Sequence, residues 1–397
     1  RTSPQGLAIV NGRDSNRLSI TSLAEGFTVE KNEEQEAYDR WADREMKILE
    51  KTDFFKEYDG YLNYYSINLW SKDRGLSREP GGIHKDTPCG GKIDGGVYTV
   101  SNGMVRDFLQ RFPGPSIGNV IGNDNANVAT GGGGCTAIVK GMLEVVGHED
   151  GHAFGGVGDE YDMDPSGKPN GGATGRSKTP LPTTVIASDL VGGNNKDEIR
   201  KMAPWAHWIA LGPGPTAPPG APGNWTGKIV DIFEGGNRTP WDVWRPQSDC
   251  KMRSSGSPYC CVCMEQMVLH LYDTVRPIDE VDPKEDEVEC DKSGIILKAF
   301  CLRPRSRALD ATWDIRSLGD EEKQTEGTVV RASQKTKKID RVDQRDQPDG
   351  RCLYGAKVVA TPGLYEVTLT ISDPTPWVAL KERPGLSEKH VWKVRVR

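Results

Sequence analysis

The chain has 397 residues, enough for two domains that each bury a core. Its 57 acidic and 51 basic residues give a formal net charge of −6, which argues against a nucleic-acid binder. Apolar residues make up 36%, with no run near the roughly 20 that a helical membrane span needs, while 46 Gly and 26 Pro indicate a loop-rich globular protein.

In chain order, "GLAIV" and "RLSITSLA" read as two short strands. "EKNEEQEAYDRWADREMKILEKTDFF" reads as one long amphipathic helix, with Ala37, Trp41, Met46, Ile48 and Leu49 on its apolar side. "GYLNYYSINLW" is a strand, "NGMVRDFLQRF" a short helix and "SIGNVIGN" another strand. "TAIVKGMLEVVGHEDGHAF" then carries a helical rhythm through Ile138, Met142, Val145 and Val146. This alternation predicts an α/β or α+β domain over residues 1–278, interrupted by a Pro/Gly-rich loop at 212–224. Past the acidic "IDEVDPKEDEVE", residues 286–397 contain only strand-like segments, which predicts an all-β, immunoglobulin-like sandwich. Such a domain suits docking of protein or carbohydrate.

Nine cysteines are many for a cytosolic chain of this size. Disulfides drawn from Cys89, Cys135, Cys250, Cys260, Cys263, Cys301 and Cys352 are expected, which together with a start at Arg1 fits a processed chain that is secreted, periplasmic or at the cell surface. The alternative is a metal site using Cys260 and Cys263 with Cys250 nearby.

The chemistry concentrates in "GHEDGHAFGGVGDEYD", residues 147–162. His148 and His152 are four apart, so on a helix both imidazoles can reach one ion. Glu149 then points at the fourth coordination position, where water binds, and is the expected general base of an H-E-x-x-H zinc hydrolase. A third ligand is needed. Residue 158 is Gly and cannot coordinate, so Asp159 is expected, with Glu160 as the alternative. Whichever does not ligate would hold a histidine N–H. Tyr161 and His207 are candidate oxyanion partners. "SIGNVIGN" could hold an extended substrate by edge pairing, with "TGGGG" letting its backbone come close. Asp162, Asp164, Ser166 and Gly167 stand at calcium-loop spacing, but Ala173 takes the place of the final Glu, so Ca2+ is carried only as an additional cofactor alternative.

"HEDGHAFGGVGDEY" resembles the signature of the IgA-peptidase-type zinc metallopeptidases, family sixty-four, H-E-x-G-H-x-x-x-x-x-x-D-E-Y. The resemblance extends to "FTVEKNEEQEAYDRWADREMKILEKTDFFKEYDGYLNYYSINLWSKDRG", "GNVIGNDNANVATGGGG", "WAHWI", "FEGG" and "WRPQSDCKMRSSGSPYCCVC". It implies a zincin, metzincin-like domain in which His148, His152 and Asp159 bind Zn2+, Glu149 is the base and Met252 forms the methionine turn. The implied activity is endopeptidase cleavage of protein or peptide. A catalytically silent scaffold on the same fold is the rival reading. Asp150 departs from the family, and Cys261 looks like an addition to its spaced cysteine pair.

Overall fold

The computed structural model describes residues 8–29, 32–111, 114–162, 184–187, 193, 195–210, 229–318, 340–346, 350–379 and 384–397. The chain forms two compact units, one of residues 1–275 with 375–382, the other of 276–374 with 383–397. The Pro/Gly-rich loop at 212–224 and the calcium-loop positions after Asp162 lie outside the described residues. Among those described, no helix is long and apolar enough to cross a membrane.

The first unit begins with β1 (Ala8–Val10), β2 (Leu18–Glu25), α1 (Asn32–Leu49), α2 (Asp53–Glu57) and β3 (Leu62–Ile67). The expected single long helix is therefore two, because the chain turns extended at Thr52, which caps α2. Its buried stripe also differs: Tyr38, Ala42, Glu45, Met46 and Leu49 are buried, whereas Ala37, Trp41 and Ile48 are only half-buried. Then come β4 (Ser77–Glu79), β5 (Lys92–Asp94), β6 (Val97–Thr99), α3 (Asn102–Leu109), β7 (Ser116–Gly122), β8 (Ala129–Gly132), β9 (Cys135–Val139) and α4 (Val146–Ala153).

The main sheet has the order β1-β3-β2-β7-β9-β8. Its four inner strands run parallel, and β1 and β8 close the edges antiparallel. Two expectations change here. The helical rhythm before His148 covers a strand, β9, and a 3-10 turn over Lys140–Val145; only Val146–Ala153 is α-helix. "CTAIV" is buried throughout, and a short apolar run of that kind suits an inner parallel strand as well as a helix. β7 is likewise internal, paired on both sides, so it offers no edge to a substrate. The edge near α4 is β8, inside the glycine run, where a Cβ on Gly131 would stand 2.0 Å from the Glu149 carbonyl oxygen. Glycine is required there because two backbones touch.

The unit continues with β10 (Ile186–Ala187), α5 (Lys196–Met202), α6 (Ala206–Ile209), the hairpin β11 (Phe233–Gly236) and β12 (Thr239–Arg245), and α7 (Cys261–Thr274). The second unit holds two four-stranded sheets. One comprises β13 (Ile278–Asp282), β15 (Ile295–Cys301), β17 (Asp340–Asp346) and β18 (Cys352–Val358); the other comprises β14 (Glu287–Cys290), β16 (Asp310–Ser317), β19 (Gly363–Ser372) and β20 (Ser387–Val396). Leu297, Ala299 and Tyr354 from the first share one core with Val367, Leu369 and Trp392 from the second.

No disulfide joins any of the nine cysteines, against the disulfides expected among Cys89, Cys135, Cys250, Cys260, Cys263, Cys301 and Cys352. Each of those seven is buried, and Cys301 and Cys352 belong to the hydrophobic core of the second unit. The cysteine count therefore lends export no support.

Candidate metal centre

Helix α4 is anchored from its sheet side. Asp150 is fully buried and accepts hydrogen bonds from Thr136 Oγ1 of β9 (2.7 Å) and Asn119 Nδ2 of β7 (3.1 Å). The Asn119 amide also donates to Glu45 Oε1 of α1 (2.6 Å). Burial raises Asp150 to about 7 and Glu45 to about 8. Asp150 thus faces neither solvent nor the histidines; it fixes the helix to the sheet.

His148 and His152 lie on the other side. His148 Nδ1 sits 3.0 Å from the Lys251 carbonyl oxygen, and His152 Nδ1 sits 2.7 Å from that of Val157. A carbonyl only accepts, so each Nδ1 carries the proton and each Nε2 presents a lone pair. The two Nε2 atoms are 3.2 Å apart, and Asp159 Oδ1 lies 3.2 and 3.0 Å from them. Three acceptors face one another, an arrangement that a cation resolves. Donors held about 2.0 Å from a tetrahedral ion stand about 3.3 Å apart, so this set fits zinc in both chemistry and spacing.

Asp159 is held by the β11–β12 hairpin. Arg238 Nε donates to Asp159 Oδ2 (2.9 Å), leaving Oδ1 for the histidines, and the Asn237 N–H donates to the Asp159 carbonyl (2.7 Å). Burial by itself would raise the Asp159 carboxyl, but the adjoining His148 and His152, with Arg238 nearby, hold it far below the usual range. Asn237 and Arg238 both adopt left-handed backbone, φ 49° and 63°. A two-residue hairpin loop of this form favours Asn-Gly, so Arg at the second place carries strain that its ion pair offsets. Sequence reading missed Arg238, which no local signal ties to Asp159, 79 residues away.

Glu149 is buried, and its carboxylate makes no hydrogen bond to another described residue. Burial raises its pKa, opposed by His148 and His152. Met252 packs beneath the helix, its sulfur 2.8 Å from where a Cβ on Gly151 would stand, between the two histidines. The Tyr161 ring lies 6.0 Å from that of His148, and burial and Asp159 push its hydroxyl up to about 12. His207 is elsewhere: its Nε2 hydrogen-bonds Glu265 Oε2 at 2.6 Å. Glu160 also departs from its alternative role. Its carboxylate meets the Cys260 and Cys263 thiols rather than a histidine. A cleft of about 510 Å³ passes His152, bordered by Gly133, Gly134, Gln266 and His270.

A paired-histidine helix on a mostly parallel sheet thus presents three converging donors that suit a cation. Residues 8–171 match the family model described as IgA Peptidase M64, so the resemblance to that peptidase family is shown over the stretch that holds His148, Glu149, His152 and Asp159. No match to a curated protein was found.

Proposed function

We propose that the chain is a zinc-dependent endopeptidase, with the first unit as a zincin-like catalytic domain and the second as an immunoglobulin-like sandwich. The observation that carries this reading is the convergence of His148 Nε2, His152 Nε2 and Asp159 Oδ1, with the Glu149 carboxylate beside them making no hydrogen bond to a described residue. Zinc held there supplies a Lewis acid that polarises the scissile carbonyl and acidifies water.

The chain's own groups do the rest. Lys251 and Val157 fix both imidazoles through their carbonyls, and Arg238 turns Asp159 toward them. Glu149 takes the proton from the attacking water and passes it to the leaving amine nitrogen. Tyr161 stays protonated at neutral pH and is the candidate donor to the developing oxyanion. The free edge of β8 receives the substrate as an added strand, its glycines admitting a close backbone.

Mass-spectrometric mapping of products from a denatured protein mixture tests this. Internal cleavages that vanish on chelation and return with Zn2+ are expected. A metal-loaded, folded chain that yields no new termini would favour the scaffold reading.

A further inference from the structure

Glu160, Cys250, Cys260 and Cys263 bring their ligand atoms within 4.8 Å of one another, and all four are buried. Cys250 Sγ is 3.8 Å from Cys263 Sγ, while Glu160 Oε1 is 3.3 Å from Cys260 Sγ and 3.1 Å from Cys263 Sγ. A disulfide needs sulfurs about 2.05 Å apart. The edge between two sulfurs bound 2.3 Å from a tetrahedral zinc is about 3.8 Å, and a sulfur–oxygen edge is about 3.5 Å.

Two further features favour thiolates, and a third favours an ion among them. The Cys250 sulfur accepts N–H bonds from Cys260 (3.1 Å) and Met252 (3.4 Å), and the Cys260 sulfur accepts from the Cys263 N–H (3.4 Å). Cys260 caps the 14-residue helix α7, whose N-terminal dipole favours negative charge. Glu160 Oε2 is buried with no hydrogen-bond partner among the described residues, a cost that an ion at this point removes. Three thiolates and a carboxylate outweigh the charge of a divalent ion; Arg245, buried and within electrostatic reach of Glu160, offsets part of the excess.

From these contacts we infer that Cys250, Cys260, Cys263 and Glu160 form a second, structural site for a thiophilic divalent cation of the zinc class, separate from the histidine centre. Binding displaces the thiol protons to solvent. With all four positions taken by protein, the site has no room for substrate. Its place explains its use. Glu160 follows Asp159 in the chain, its N–H donates to the Met252 carbonyl (2.8 Å), and Cys250 precedes Lys251, whose carbonyl holds His148. An ion here ties both segments that support the histidine centre.

The test uses the full chain, stripped by a chelator under reducing conditions and reloaded with Co2+. Two ions per chain are expected, with strong near-ultraviolet sulfur-to-cobalt absorption that a His/His/Asp site cannot give. His148→Ala with His152→Ala should keep that absorption and one ion. Cys263→Ser should lose the absorption, and Cys261→Ser, outside the cluster, should retain it. A reloaded parent chain without the absorption, or one whose Cys250, Cys260 or Cys263 is found in a disulfide, overturns the site even if a variant fails to fold. The peptidase reading is scored separately, by cleavage of a denatured protein mixture by the parent chain and Glu149→Ala.

Discussion

Asp159 and Glu160 are chain neighbours, yet they serve two donor clusters of opposite character. Asp159 joins two imidazoles beside a cleft, with Glu149 next to them and no fourth protein ligand among the described residues. Glu160 joins three thiols in a sealed interior. The two side chains leave the chain toward different clusters, so one peptide bond serves both. A set that leaves a position open can do chemistry; a set that fills all four can only brace.

Swapping the pair's roles gives the largest effect. Asp159→Ala should cost the histidine centre its ion and abolish hydrolysis, whereas Glu160→Gln should leave an ion at the histidines and weaken the thiol site; metal content together with cobalt absorption reads both. If Glu160→Gln emptied the histidine centre and Asp159→Ala did not, the assignment would be reversed. Next, Arg238→Ala removes the hold on Asp159 Oδ2 and should lower zinc affinity at the histidine centre about 10- to 100-fold in chelator competition. An unchanged affinity would mean the hairpin merely packs.

Gly131→Ala probes the edge strand. Its Cβ would meet a backbone carbonyl that cannot swing aside, so denaturant melts should show a loss of about 1–3 kcal/mol, along with slower cleavage. A pH effect concerns Glu45, whose folded pKa of about 8 reflects burial and the nearby Asp150. Because the folded chain then holds a proton that the unfolded chain releases above its ordinary pKa near 4.5, stability should fall as pH rises from about 5 to about 8. Glu45→Gln should flatten that fall, and an identical slope in both chains would contradict it.

Much of the histidine centre was legible because a helix fixes the relation between residues four apart, whatever surrounds it. The third ligand was harder, since Asp159 and Glu160 differ only in which way an irregular segment turns. Arg238 was illegible: a long-range hairpin brings it 79 residues along the chain to Asp159. The cysteines misled for a related reason. Their number suggested cross-links, while the grouping of Cys250 with Cys260 and Cys263, read only as the alternative, is set by α7, which sequence reading left unmarked. β9 was misjudged because burial on both faces of a parallel strand erases the alternation that marks one. The return of residues 375–382 to the first unit likewise had no local signal.

The most direct test measures zinc content and proteolysis in the same preparations of the parent chain and Glu149→Ala. Equal zinc in both, with cutting by the parent alone, is the predicted result. Equal zinc with equal cutting, or with none in either, would contradict Glu149 as the base of a working peptidase.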